Sequence, residues 1–249
     1  MSTRTAPAPA PAVIAFARGP FVAGGVVILD DEESHHLRVR RVGDGAAVRL
    51  IDGRGGVATA RLAIDRDLVA ARVIAATVVP APPVTEMFVG SGDRDRFLGL
   101  VEKATELGAT RIIPLVTERS HQVATRFQAV HVEKAVRRAR ESLKQCGAAW
   151  VPSILSPAAL SEAVRIPGPV PLKLVADAEG GPLPPIKEGD PVYWAIGPEG
   201  GFTPPELATL RSAGFKPVAL GRATLRFDTA ALAALALTAA ARLRGGESA

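Results

Sequence analysis

The chain has 249 residues, 47% of them hydrophobic, so it can bury a sizeable core as one large domain or two modest ones. Its single cysteine, Cys146, excludes an internal disulfide and a Cys-rich zinc site and fits a reducing cytoplasm, and none of His35, His36, His121 and His131 stands in a metal-ligand spacing, so no metal is expected. The net charge of +5 suits a polyanionic partner, and equally an ordinary basic surface.

Residues 1–12 alternate Ala and Pro and read as a disordered tail without the apolar core of a secretory signal. Residues 13–79 read as short strands punctuated by turns: 26–29, 48–51, 57–64 and 68–78, with Asp52-Gly53-Arg54-Gly55-Gly56 as a hairpin signal. This spacing predicts a small β-barrel. Within it, His35, His36, Arg38, Arg40 and Arg41 crowd one short helix or turn, which is either a phosphate-contacting surface or a solvated face. Residues 80–84, rich in proline, read as a linker.

From residue 85 the period changes. A strand is expected at 86–90 and a helix at 93–107, with Asp93 as N-cap and Gly108 as the stop. A strand follows at 111–116 and a longer helix at 126–146. That helix turns Phe127, Val130, Val136, Ala139, Leu143 and Cys146 inward, with Lys134, Arg137, Arg138 and Lys144 sharing much of its other face. Further elements are expected at 151–155, 157–164 and 170–176. Strands alternating with helices predict an α/β domain over 85–249, with a mostly parallel sheet covered on both sides. The longest apolar run, 230–241, falls short of the ~20 residues that span a bilayer, so it reads as a buried helix and no membrane is expected.

Two loops stand out. Ile196-Gly197-Pro198-Glu199-Gly200-Gly201-Phe202 follows an apolar run at 191–196 and precedes Thr203-Pro204-Pro205-Glu206, a capping-box start. The second, Leu220-Gly221-Arg222-Ala223-Thr224-Leu225-Arg226-Phe227-Asp228, lies between another apolar run and an Ala/Leu-rich helix. Glycine-bearing loops between strand and helix are where open α/β sheets bind ligands. The pair, with Glu199 and Arg226 inside it, points to one shared pocket.

These motifs are joined by Lys103-Ala104-Thr105-Glu106-Leu107-Gly108, Glu118-Arg119-Ser120, Gln145-Cys146-Gly147 and Val151-Pro152. In this order, from Gly24 to Leu243, the set resembles the bacterial 16S ribosomal RNA uridine N3-methyltransferases of the SPOUT superfamily. The resemblance implies an N-terminal PUA-like β-barrel, a C-terminal α/β domain tied in a trefoil knot, and a homodimer. It also implies S-adenosylmethionine as methyl donor and ribosomal RNA or the small ribosomal subunit as partner. The donor would lie against Leu174, Ile196, Gly197, Pro198, Glu199, Gly200, Gly201, Leu220, Gly221 and Leu225. RNA would meet His36, Arg38, Arg40, Arg41, Lys103, Arg119, Lys134, Arg137 and Arg138, with Lys103, Glu106, Arg119 and Ser120 near the pocket. Ala223, Thr224, Phe227 and Asp228 depart from the family's second loop, which leaves an RNA-binding protein with a degenerate catalytic loop as the alternative.

The chemistry asks for few side chains. Uridine N3 carries a proton at neutral pH and must lose it. Arg226 is a candidate to stabilise the developing anion, or a salt bridge closing the loop. Glu199 and Asp228 are both candidates to accept the proton, and Glu199 is equally a candidate to pin the glycine loop through main-chain N–H groups.

Overall fold

The computed structural model describes residues 13–65, 68–165 and 172–245. The tail expected at 1–12 and the start of the strand expected at 170 lie outside them. Contacts group the chain into two units, one running to Ala81 and including Leu143–Val151, the other made of Pro82–Ser142 and the chain from Pro152 onward.

In the first unit, β1 (Ile14–Phe16), β2 (Val26–Ile28), β3 (Ala47–Ile51), β4 (Gly56–Ile64) and β5 (Val69–Val78) pair in the order β1-β3-β4-β5-β2. The β1–β3 pair is parallel and the rest are antiparallel. Among the described residues β1 and β2 do not pair, so hydrogen bonding makes a five-stranded sheet and not the closed barrel the spacing predicts. The β3–β4 turn is built as its sequence suggests: the Asp52 carboxylate accepts from the N–H groups of Arg54 (2.7 Å) and Gly56 (2.8 Å). Helix α1 (Asp31–Val39) is capped by Asp30, whose carboxylate accepts from Glu33 N–H, and buries Leu37 among Val48, Leu50, Leu62 and Ala71. His36, Arg38 and the exposed Arg40 and Arg41 therefore lie at its C-terminal end, where positive charge complements the helix dipole.

Leu143 and Ala149 join Ile51 and Val57 in an apolar cluster of this unit. Beside them the Lys144 ammonium donates to Glu33 Oε1 at 2.5 Å, both side chains almost wholly buried. Truncating one partner of a buried pair strands the other charge. Lys144→Ala is expected to lower stability by about 3–5 kcal/mol. Lys144→Ala/Glu33→Ala should recover part of that loss, as a denaturation series on the three variants would show; additive losses would mean the pair does not act as one.

The second unit holds β6 (Thr85–Gly90), α2 (Arg94–Glu106), β7 (Arg111–Val116), α3 (Val132–Cys146, whose last residues belong to the first unit), β8 (Ser153–Ile154), β9 (Ala158–Ala159), α4 (Leu160–Ala163), β10 (Leu172–Gly181), β11 (Val192–Ile196), α5 (Pro204–Ser212), β12 (Lys216–Val218) and α6 (Phe227–Gly245). Its sheet runs β12-β10-β11-β6-β7-β8, every pairing parallel, with β9 also on β7. Alternation along the strands divides the core. Phe88 and Ala195 pack with Leu160, Leu210 and Phe215 on the α4–α5 face. On the other face Trp194, wholly buried, donates from Nε1 to Thr238 Oγ1 of α6 at 3.0 Å. Arg242 anchors the far end of α6, donating to Thr85 Oγ1 and to the carbonyls of Val84 and Asp190.

Helix α3 begins later than the pattern predicts, after a single 3-10 turn at Ala129–His131. Its inward face is Ala135, Ala139, Ser142 and Leu143; Val130 is 79% exposed and Cys146 is exposed, whereas Lys144 is buried. The expected phase fails because Phe127, which is buried, belongs to the preceding loop and not to the helix. Among the described residues, no helix is long and apolar enough to cross a membrane.

Candidate active site

Parallel strands present their carboxyl ends on one edge of the sheet, and there a cavity of about 310 Å³ opens at the ends of β10 and β11 and in the loop after β12. The walls are largely main chain. Gly197, Pro198, Glu199, Gly200 and Gly201 form one side and Leu220, Gly221, Ala223, Thr224 and Leu225 another. Ile196, Phe202, Leu207, Phe227 and Ala230 supply apolar surface, and Ala176, Asp177 and Ala178 close the β10 side. Backbone passes so tightly at Gly197 that a Cβ there would lie 2.8–2.9 Å from main-chain atoms of Gly201 and Phe202. Gly201 itself takes a left-handed φ of +73°.

The loop is held from three directions. Thr203 stands at the N-cap of α5, and the Glu206 carboxylate reaches back to accept from Thr203 N–H at 2.8 Å, the carboxylate half of a capping box. Its other oxygen accepts from Glu118 N–H at 2.8 Å, tying in the turn that carries Arg119. Arg119 lines the cavity and donates from Nη1 to the Gly200 carbonyl. Glu199 Oε1 accepts from the N–H of Asp93, the α2 N-cap, at 2.8 Å. Asp93 in turn accepts from the Thr125 hydroxyl at 2.6 Å and from the N–H groups of Arg96 and Asp95, and these bonds, the Thr125 one foremost, hold its carboxyl below the ordinary range.

Of the residues expected at the donor, Ile196, Gly197, Pro198, Glu199, Gly200, Gly201, Leu220, Gly221 and Leu225 all line this cavity. Leu174 does not. It is wholly buried within β10, paired with Trp194, and the cavity begins two residues further along the strand at Ala176. Arg226 and Asp228 alternate with the lining residues Leu225 and Phe227 without lining the wall themselves. Arg226 is exposed, and its carbonyl receives Ala230 N–H as α6 begins. Asp228 Oδ1 is buried and has no hydrogen-bond partner among the described residues. Phe227 is accommodated by stacking on Phe97, which stacks on Phe127.

The cationic set divides. Arg119 is at the cavity, but Lys103 and Glu106 pair with each other at 2.9 Å at the C-terminal end of α2, and a crossover helix runs back along the sheet, carrying them away from its carboxyl edge. Ser120 is buried and bonds within its own turn to Thr117. Arg138 pairs with Glu102 at 2.7 Å, whereas Lys134 and Arg137 are exposed on α3. Sequence reasoning missed Asp177 and Leu207. The signal for Asp177 is the run Asp177-Ala178-Glu179-Gly180-Gly181, which ends an apolar strand on a carboxylate and two glycines. Among the described residues, no group of three or more His, Cys, Asp or Glu side chains is placed to hold a metal ion.

Comparison with known proteins agrees with this geometry. Residues 80–239 match the family model of an RNA methyltransferase domain, and residues 29–74 match an RNA methyltransferase PUA domain. Ribosomal RNA small subunit methyltransferase E of Mycobacterium bovis is 31% identical over 85% of each chain. That of Synechocystis sp. is 30% identical over 84% of this chain and 71% of the relative. The chain belongs to the ribosomal RNA small subunit methyltransferase E family. Among solved structures of the family, the Neisseria gonorrhoeae enzyme bound to S-adenosyl methionine superposes with a TM-score of 0.82 at 27% identity, covering 92% of this chain and 98% of that one. A Legionella pneumophila methyltransferase in complex with the cofactor SAM gives 0.80 at 26% identity, over 92% and 98% of the two chains.

Proposed function

We propose that this chain methylates N3 of a uridine in the 16S RNA of the small ribosomal subunit, with S-adenosylmethionine as donor and in the cytoplasm. The observation that carries this reading is the cavity walled by two glycine-bearing loops at the carboxyl edge of a parallel sheet. The residues fit the donor. The volume is that of a small-molecule site, main-chain N–H and C=O groups suit the edges of adenine, and two carboxylates on the wall, Asp177 and Glu199, suit a ligand rich in hydrogen-bond donors. When bound, the donor supplies an electrophilic methyl group.

The chain supplies position and charge. The ties from Glu206, Glu199 and Arg119 fix the glycine loop before any ligand arrives, so little ordering is left for the reaction. Arg226 faces solvent, where an incoming base can meet it, and is assigned to stabilise the anion developing on the uracil. Glu199 already accepts from Asp93 N–H, so Asp228, with a buried unpartnered oxygen, is assigned to accept the N3 proton, directly or through water. The direct test is mass spectrometry of 16S RNA from cells lacking the protein and cells restored for it. One methylated uridine should vanish and return; an unchanged methylation pattern overturns the reading.

Residues 1–12 are proposed as a tail, 13–79 as the RNA-binding PUA-like domain, 80–84 as its linker and 85–249 as the catalytic domain. RNA binding is proposed to be shared between Arg38, Arg40 and Arg41 of the first and Lys134 and Arg137 of the second. Replacing Arg38, Arg40 and Arg41 by Ala should raise the RNA concentration for half-maximal methylation about tenfold at moderate salt and flatten its salt dependence. Donor binding, read by calorimetry, should be unchanged. An unaltered RNA dependence across a salt series would make that helix end a solvated face only.

The trefoil knot and homodimer also stand as proposals. Strand order supports the knot: from β12 at the sheet edge the chain returns through the second loop, and α6 packs over β6 and β11 at the centre. The outer side of α6 supports the dimer, because Leu232, Ala236, Ala240 and Leu243 leave an apolar stripe at helical spacing, with Leu243 78% exposed. Light scattering at micromolar concentration should give twice the monomer mass; the monomer mass would rule the dimer out.

A further inference from the structure

Strand β10 leaves the ladder in an unusual way. Ala176 pairs with Val218 of β12, and so does Gly181, so the register shifts there and residues 177–180 bulge away from the β12 ladder. Gly180 makes this possible: a Cβ there would lie 2.4–2.6 Å from main-chain atoms of Val218, so only glycine lets the strand cross so closely. The bulge places Asp177 on the cavity wall. Asp177 Oδ1 accepts from Glu179 N–H at 3.0 Å, which fixes the carboxylate against its own turn. The other charged side chains on the wall tie separate segments together, Glu199 by accepting from Asp93 N–H and Arg119 by donating to the Gly200 carbonyl, whereas Asp177 bonds within its own turn and keeps Oδ2 for a ligand.

The position matters as much as the charge. β10 lies directly beside β11, the strand that delivers the glycine loop. In the doubly wound sheets that bind dinucleotides, a carboxylate following the glycine loop meets the ribose, and Asp177 offers the same chemistry from the strand beside the glycine-loop strand. A carboxylate only accepts hydrogen bonds, and a vicinal diol offers two O–H donors, so the two match in number and kind.

We propose that Asp177 accepts hydrogen bonds from the 2′- and 3′-hydroxyls of the donor's ribose, and so selects a ribonucleoside over its deoxy counterparts. This rests on the reading of the cavity as the donor site. Calorimetry on the full chain tests it with five probes: S-adenosylmethionine, S-adenosylhomocysteine, 5′-methylthioadenosine, adenosine and 2′,3′-dideoxyadenosine. Asp177→Asn should weaken the first four by similar factors of about ten to a hundred, the loss expected for charge-assisted hydrogen bonds. The wild-type chain should bind adenosine more tightly than the dideoxy compound, and that preference should shrink in Asp177→Asn. The ligand-side comparison needs no variant, so the proposal does not depend on how well the variant folds. A loss confined to the two amino-acid-bearing probes would assign Asp177 to the ammonium group and overturn the proposal. So would equal wild-type affinity for adenosine and its dideoxy form. Failure of the wild-type chain to bind S-adenosylmethionine would instead overturn the donor reading itself.

Discussion

Gly197→Ala is expected to weaken binding of S-adenosylmethionine more than any other change in the glycine loop, although it adds one methyl group. That methyl would sit 2.8–2.9 Å from the Cα and C of Gly201 and the N of Phe202, all of them main chain and none able to swing aside. The loop would have to open. Overpacking costs about 1–3 kcal/mol in an ordinary core. Here the displaced atoms are the wall of the cavity, so affinity should fall by about a hundredfold or more. Other glycines give the comparison. At Gly200 the added carbon meets the Arg119 side chain, Cδ at 2.9 Å, which can move at the cost of its bond to the Gly200 carbonyl. Gly200→Val should therefore weaken binding by about tenfold, the worth of a charge-assisted hydrogen bond. At Gly99, in α2 and off the cavity wall, nothing among the described residues lies within 4 Å, and Gly99→Ala should stay within about threefold of wild type, as an added methyl meeting no neighbour neither gains nor costs much. Titration calorimetry on the three, each checked for a wild-type melting temperature, decides the matter. A different order of affinities would mean that the tight backbone crossing at Gly197 is not part of the donor's wall.

What the sequence made legible was punctuation. Gly197 to Glu206 announces strand, loop and helix because each residue type there has one cheap use, and the Thr203–Glu206 bond at 2.8 Å is the one the spacing requires. The second loop was legible for the same reason, and both glycine loops meet at one cavity. Features that depend on a distant segment were not legible. Lys144 reads as one more surface cation on α3; its partner Glu33 lies 111 residues earlier. Asp177 reads as a strand end, and only the crossing over Val218 turns it onto the wall. Leu174 lies one strand period short of the cavity, since nothing local marks where a parallel strand clears the sheet. The alternation of β1 to β5 showed which side chains face inward but not whether the edge strands meet, because closure is a property of twist and length across the whole sheet.

Asp228→Asn and Arg226→Ala are expected to lower the methylation rate at saturating RNA and donor, but to respond differently to pH. The two act on opposite halves of one event, loss of the N3 proton and stabilisation of the charge it leaves. A lost general base removes about 10²–10⁴ in rate. Asn keeps the shape of Asp228 and removes its basicity, while the buried Oδ1 makes no hydrogen bond to the described residues that the change would break. Raising the pH ionises more of the uracil before it reacts, so the Asp228→Asn rate should climb with pH toward wild type. A lost electrostatic stabiliser removes about 10²–10³, and it is missed whether the proton leaves to a base or to solvent. The Arg226→Ala deficit should therefore persist across the same pH range. Alanine retains the Arg226 carbonyl that receives Ala230 N–H, so the start of α6 should be unharmed and donor affinity unchanged. Single-turnover rates from neutral to alkaline pH, with donor binding measured in parallel, separate the roles. If the Asp228→Asn deficit is the same at every pH, Asp228 only supports the helix start, and proton removal belongs elsewhere. If Arg226→Ala changes the RNA concentration for half-maximal rate and not the rate itself, Arg226 is a phosphate contact.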